Sequence, residues 1–384
     1  MNMVNPINRI TNDSTPKIDI SNCLLASDKV QDATQPFISV SIPHYKHIAY
    51  LEIVLQSIFT QDFDDFEIIV SNDHSPDDSD LVVPIILQNS GRRFRYYSQQ
   101  QNLGYDANVR FCLAAASGKY VFLLGNDDAL ATGALRDISK ALHQLNFPEV
   151  ALTNYAVWGS PHKVVQRALT TEILGAGVDT AVRYFRSFSF VSGLIYDCAA
   201  AAKYDTDRWD KSIYYQIYLG CCIIASNGRL GTIDVTAVLK DIRVNDQTVP
   251  NYETKWKNAP WSFQWRHTGL DSVIRVASDA IIQHIDKKGH STINRRLVNQ
   301  ILLILHPFWV LEYRRVANWS YAFGVARGHQ PSRLTAGLYL SFLDRLYLWL
   351  VYLAVTPIAL FLPIRLFNML KHRLAKLVRR YLRR

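Results

Sequence analysis

Five short runs, rich in β-branched and aromatic residues, recur along the first 154 residues and limit what the chain can fold into. They are FISVSI (Phe37–Ile42), FEIIVSN (Phe66–Asn72), FRYYSQ (Phe94–Gln99), KYVFLL (Lys119–Leu124) and EVALTN (Glu149–Asn154). Between them, apolar residues keep helical spacing. Leu51, Val54, Leu55 and Ile58 form one set, Ala107, Phe111 and Ala114 a second, and Leu135, Ile138, Leu142 and Leu145 a third. Apolar strands alternating with helices predict an α/β domain with a mostly parallel sheet and helices on both faces. Such sheets bind ligands beyond the carboxyl ends of their strands. There the first run closes on Pro43, the second on Asp73 and the fourth on Gly125-Asn126-Asp127-Asp128. Two adjacent carboxylates at the end of a buried strand repel each other unless a cation or solvent separates them.

The remaining organisation is coarser. Residues 1–36 are polar and predict a tail. The α/β domain is expected over 37–235, with SFVSGLIY, ending at Tyr196, as a strand and SIYYQIYLGCCIIA (Ser212–Ala225) as a buried helix. Residues 236–335 predict a helical, aromatic-rich region containing LVNQILLILHPFWVLEY (Leu297–Tyr313). Residues 336–384 hold the uncharged run LYLWLVYLAVTPIALFLPI (Leu346–Ile364), which carries Pro357 and Pro363. Beyond it, Leu366, Leu370, Leu374, Leu377, Val378 and Tyr381 share one helical face opposite basic residues, the pattern of an interfacial helix.

Charge sharpens that reading. The net charge is +9, but nine Lys or Arg and no acid lie in 345–384, leaving 33 basic and 33 acidic residues in 1–344. An excess confined to a tail beside an apolar run points to an anionic membrane surface and away from nucleic acid. The basic tail belongs on the cytoplasmic side, so a re-entrant or surface-lying segment suits the chain better than a single span. The five cysteines show no CxxC spacing, and the N-terminus has no signal-peptide core. A cytoplasmic catalytic domain anchored at the membrane through its C-terminus is expected.

Two blocks, ISVSIPHYKHIAYLEIVLQSIFTQDFDDFEIIVSNDHSPDDS and NLGYDANVRFCLAAASGKYVFLLGNDDAL, resemble the opening of family 2 glycosyltransferases, over about residues 37–235. The resemblance implies the Rossmann-like GT-A fold and an inverting, metal-assisted transfer from a nucleotide-diphosphate sugar. It implies magnesium or manganese held by Asp127, with Asp128 next, although Gly125 and Asn126 stand where the first acid of the family's Asp-x-Asp motif would be. It implies nucleotide contacts from Pro43, Tyr45, Asp73, Asn102, Gly104 and Asn108. The family's Glu-Asp pair for the general base is absent. Asp210, then Asp207, in YDTDRWDKSIYYQIYL are the nearest substitutes. Arg266 and His267 are candidates for diphosphate contact, and Trp261 and Trp265 for stacking on sugar.

With the basic tail, the acceptor implied is a polyprenyl-linked glycan, as in surface-polysaccharide synthesis. A nucleotidyltransferase would need a glycine-rich loop after the first strand, and IPHYKHIAY has no glycine. The alternative is a non-catalytic, membrane-bound nucleotide-sugar or glycan-binding protein on the same fold.

Overall fold

The structure is a computed structural model that describes residues 18–20, 23–27, 34–250, 259–370 and 373. Most of the expected N-terminal tail, and all but Arg373 of 371–384, lie outside the described residues.

One mixed sheet organises the first 240 residues. Its centre is four parallel strands in the order β4 (Phe94–Ser98), β3 (Phe66–Asn72), β2 (Ile38–His44) and β5 (Tyr120–Leu123). The helices α1 (Ile48–Phe59), α2 (Ser79–Asn89) and α3 (Tyr105–Ala115) make the crossovers. The strands form because alternate residues serve different layers. Ile38, Val40 and Ile42 of β2 enter one apolar cluster with Leu51, Val54 and Leu55 of α1. Ser39, on the other face, donates to the buried Glu67 (2.6 Å), which also accepts from Ser117 and pairs with Arg95 (2.7 Å). Both Glu67 oxygens are thereby engaged, which is what makes a buried carboxylate tolerable.

Beyond β5 the sheet departs from the parallel pattern. The strand β10 (Leu194–Asp197) inserts antiparallel between β5 and β7 (Val150–Val157), with Leu194 opposite both Leu123 and Leu152. The expected strand ending at Tyr196 is therefore shorter, because Gly193 turns the chain with φ +80°. A Cβ there would lie 2.3 Å from Thr153 Oγ1 and 2.7 Å from an Arg167 nitrogen, so only glycine fits. The strand β11 (Leu230–Lys240) then runs parallel to β7 and pairs antiparallel with β6 (Ala129–Leu130) at its far end. It carries two register shifts, which blur the period-two pattern and hide it from a sequence reading. A hairpin strand β8 (Ser160–Val165), a short β9 (Glu172–Gly175) and an edge strand β1 (Cys23–Ala26) complete it.

The helix α4 (Ala134–Gln144) follows β6, and α5 (Gly177–Tyr184) and α6 (Cys198–Lys203) flank β10. The expected buried helix is α7 (Tyr215–Ala225), with every residue buried. A helix apolar all round has to be enclosed, and α7 packs against α5 and the helix Leu270–Ile282. LVNQILLILHPFWVLEY is helical but not uniform: His290–Gln300 and His306–Val316 are joined by a π-turn, Ile301–Leu305. Pro307 has no N–H to donate and crowds the carbonyl four residues back, which the wider turn accommodates. The helix Phe342–Phe361 is long and apolar enough to cross a membrane by length and composition. Leu348, Tyr352, Thr356 and Ala359 face the protein, whereas Phe342, Leu343, Leu350, Leu353 and Phe361 are exposed.

Candidate active site

The parallel strands end at one rim, and the loops leaving them are tied together there. Asp73, just past β3, is buried. Its carboxylate accepts from the amides of Leu103 (2.6 Å) and Gly104 (3.0 Å), while the Asn102 side chain donates to its carbonyl (3.1 Å). Burial raises the Asp73 pKa, and the two amide bonds oppose that rise. Asp73, Asn102 and Gly104 thus form one unit that fixes the entry to α3. Gly104 has φ +87° and open space where a Cβ would be, leaving room for an approaching ligand. Asn108 is placed differently. It is buried, accepts from the Ser71 hydroxyl (2.6 Å) and donates to the Ser71 carbonyl (3.0 Å), so its amide joins α3 to β3.

The first loop is held from the other side. Pro43 continues β2, paired with Ser71, and Tyr45 is exposed with the Lys46 ammonium 4.9 Å from its ring centre. Lys46 and His47 both adopt positive φ, at 61° and 68°. That strain is held by the Ser75 hydroxyl, which accepts from the Lys46 amide (2.8 Å), and by Asn126, whose amide group donates to the Lys46 carbonyl (3.1 Å). The Asn126 amide group also lies 3.0 Å from His44 Nδ1, and His44 Nε2 lies 2.8 Å from the Ser79 hydroxyl. An amide donor fixes the tautomer: Nδ1 accepts and Nε2–H donates.

Burial pushes the His44 pKa down to about 4. The unfolded chain takes up a proton below pH ~6.5 that the folded chain refuses, so His44 costs stability as pH falls from 6.5 to 4. Across that window wild type should lose about 1.4 kcal/mol per pH unit more than His44→Gln. Unfolding free energies measured against pH check this, and parallel curves would refute it.

Asp127 and Asp128 occupy the next loop. Asp128 is buried, accepts from the Ser192 hydroxyl (2.6 Å) and from the Asp241 amide (3.1 Å), and is pushed up to about 8 by burial and then by Asp127. Asp127 is half-buried. Burial, then the charge on Asp241, raises its pKa. A Cβ on Gly125 would lie 3.1 Å from Asp127 Oδ1 and 3.3 Å from Asp128 Oδ2, so both carboxylates turn toward one small space.

Sequence reasoning missed three members of this site. Asp241 is brought in because Asp127 and the β6 strand pair with the end of β11, where the Asp127 carbonyl accepts from Ile242 (3.1 Å). Its carboxylate pairs with Lys240 (2.7 Å). Ser192 is held by Arg167, whose guanidinium donates to the carbonyls of Thr153 (2.7 Å), Phe190 (3.0 Å) and Ser192 (2.7 Å). No local signal marks residues 113 positions apart as partners.

The arrangement fits a divalent ion in one way only. Among the described residues no three His, Cys, Asp or Glu side chains converge as a ready-made cage. Asp128 accepts one internal bond on each oxygen, so Asp127 is the less engaged carboxylate of the pair. That suits magnesium-like binding, in which one or two carboxylates share the ion with substrate phosphates and water.

The two candidate bases separate. Asp207 is exposed and its carbonyl accepts the Asp210 amide (2.9 Å). Asp210 accepts from Arg110 (2.9 Å) through one oxygen, and its other oxygen is buried with no hydrogen-bond partner among the described residues. Burial raises its pKa and Arg110 opposes the rise. Arg110 also forks onto Asp205 (2.7 and 3.1 Å). The neighbouring Asp106 accepts from the amides of Ile213 (2.6 Å) and Tyr215 (3.0 Å). One face of α3 therefore holds 205–215 against the rim.

Comparison with known proteins bears on the domain that carries these loops. Residues 39–177 match the model described as Glycosyl transferase family 2. The chain is 36% identical over 109 residues to the GalNAc(5)-diNAcBac-PP-undecaprenol beta-1,3-glucosyltransferase of Campylobacter jejuni, covering 28% of this chain and 35% of that one. It is 36% identical over 100 residues to the abequosyltransferase RfbV of Salmonella typhimurium, covering 26% and 30%. The matched segments thus span about a third of these relatives. The crystal structure of S. aureus TarS residues 1–349 with UDP-GlcNAc superposes with a TM-score of 0.54 at 18% identity, covering 84% of this chain and 90% of that one. At that identity the likeness concerns the fold.

Proposed function

We propose that the protein, whose residues 39–177 match the model described as Glycosyl transferase family 2, transfers a sugar from a nucleotide-diphosphate donor to a lipid-linked glycan at a membrane surface. The observation that carries this reading is the convergence of the Asp73, Asn126 and Asp127–Asp128 loops on one rim, bound together through His44 and Asp241.

Each group has a chemical task. Tyr45 offers an exposed ring to the base, and Asp73 holds the loop beneath the ribose. Asp127 is the carboxylate for a divalent ion, with Asp128 tying the loop to Ser192 and to the Asp241 amide. Such an ion supplies charge stabilisation to the leaving diphosphate. Asp210 is the better base of the pair, since its unpartnered oxygen can accept the acceptor hydroxyl's proton and burial makes it more basic. A base on the face opposite the leaving group gives inversion. The C. jejuni relative's name includes an undecaprenol diphosphate. That chemistry suits a chain with an exposed apolar helix face and a basic C-terminus, and the basic C-terminus supports a site on the cytoplasmic side.

The test presents UDP, GDP, CDP and dTDP sugars with manganese to the full chain on anionic vesicles. One donor class should release its nucleoside diphosphate, and the protein should float with anionic but not neutral vesicles. Tight nucleotide binding without turnover of any donor would favour the non-catalytic alternative.

A further inference from the structure

A second cleft, of about 760 Å³, opens in the helical region between the segment 261–266 and the helix Trp319–Gly328. Trp261, Phe263, Trp265, Arg266, Tyr321 and Arg327 line it. Two glycines build it. A Cβ on Gly324 would lie 2.8 Å from the Phe263 ring, and one on Gly328 would lie 3.0 Å from Trp265 Cβ, so the segment packs against the helix only where side chains are missing.

Its chemistry is that of an anion site with aromatic walls. Two arginines line it, and no Asp or Glu does among the described residues. The helix begins at the cleft, where Asn318 caps the Tyr321 amide (3.3 Å), so the positive end of the helix dipole adds to the arginines. Arg333 lies 3.7 Å from the Trp265 ring centre, fixing that indole as a wall. An independent sign of a missing partner is Tyr321. Its side chain is 6% exposed, yet its hydroxyl is buried without a hydrogen-bond partner among the described residues. A buried hydroxyl left unpaired is costly, and a bound acceptor atom would remove that cost.

The surroundings select the kind of anion. From the same helix, Trp319 and Phe323 face outward, and Trp319 stacks near Phe361 of the long apolar helix (5.9 Å between centroids). The cleft therefore adjoins the exposed apolar face. From the cleft the turn Trp265–Thr268 leads to Gly269, where a Cβ would lie 2.5 Å from the Tyr214 hydroxyl. Tyr214 belongs to the segment 212–215 whose Ile213 and Tyr215 amides Asp106 ties to the start of α3. A ligand here has a lipid surface on one side and the rim on the other.

We propose that this cleft binds the diphosphate and first sugar of a prenyl-linked acceptor, with arginines on the phosphates, tryptophan rings on the sugar and the prenyl chain along the apolar helix face. The proposal deepens the transferase reading and rests on it for the role of the ligand as acceptor.

Direct binding of farnesyl diphosphate to the full chain, by titration calorimetry, tests the site apart from turnover. Farnesyl diphosphate should bind at least about tenfold tighter than farnesol or inorganic diphosphate, because only it engages both surfaces. Replacing both arginines, Arg266→Gln with Arg327→Gln, should weaken it at least about tenfold. Tyr321→Phe should weaken it severalfold without lowering the melting temperature, which keeps the test open if the double variant is poorly folded. Wild-type affinity in both variants would overturn the site. Equal binding of inorganic diphosphate would also overturn it, leaving a plain anion site. Failure of every donor to bind wild type would instead overturn the transferase reading, whatever farnesyl diphosphate does.

Discussion

Asp127→Ala should lower sugar transfer at least ~100-fold and remove the dependence of nucleotide binding on divalent cation, without loss of thermal stability. The stability half of this expectation comes from geometry. The Asp127 contact with Ile242 is made by its backbone carbonyl, which the substitution leaves in place. The charge on Asp241 makes that of Asp127 unfavourable, and the Asp127 charge in turn raises the pKa of Asp128. Removing a buried like charge relieves repulsion, so the melting temperature should hold or rise. Function and stability then move in opposite directions, as at sites that keep destabilising groups for their chemistry. Calorimetric titration of a nucleoside diphosphate with and without manganese, beside a melting curve, measures both. Unchanged cation dependence would remove Asp127 from the site, and a large fall in melting temperature would make its role structural.

The second large effect is expected at Arg110. Its guanidinium, 6% exposed, holds Asp205 with a fork and Asp210 with its remaining nitrogen. Arg110→Ala leaves two part-buried carboxylates without their cation, which should cost about 3 kcal/mol. Arg110→Lys should recover only part, because a single ammonium cannot reproduce the fork. Urea unfolding of the three proteins settles the ranking, and a cost below ~1 kcal/mol for the alanine variant would mean that the pair is solvent-screened. The same substitution frees Asp210 and should shift the pH profile of transfer, which distinguishes a displaced base from simple destabilisation.

Much of the first half of the sheet was legible because its signal is local. β2, β3 and β5 are continuous apolar or alternating runs that end near proline, aspartate or glycine, and α1, α3 and α4 keep a 3.6 period, whereas α2, with Pro84 inside it, was not legible. Asp73 and Asp127 could be placed from the same logic, as polar residues where buried strands surface. The roles of Asn102 and Gly104 were half legible: the turn was visible, its anchoring by Asp73 was not. Asn108 illustrates the limit. Its position near a helix start is compatible with ligand contact, but the side chain is consumed by Ser71 across a strand–helix contact that no spacing announces.

Asn126 shows the same division. Read along the chain it is a missing carboxylate. In the folded protein it is the donor that joins His44 and Lys46 to the acidic loop, a task an ionised carboxylate could not perform, because it has no proton for the Lys46 carbonyl.

The sequence by itself determined the alternation of strands and helices, the rim on which polar loops gather, and the separation of a neutral body from a basic, apolar C-terminal segment. These follow from periodicity and composition, which act over a few residues at a time. Tertiary structure alone decided the antiparallel insertion of β10, the arrival of Asp241 beside Asp127, the Arg110 clamp on 205–215, and the aromatic cleft beside the exposed helix face. The physical reason is common to all four. Each depends on bringing together residues about a hundred positions apart, or separate helices, and such pairings are fixed by the packing of whole layers rather than by local propensity.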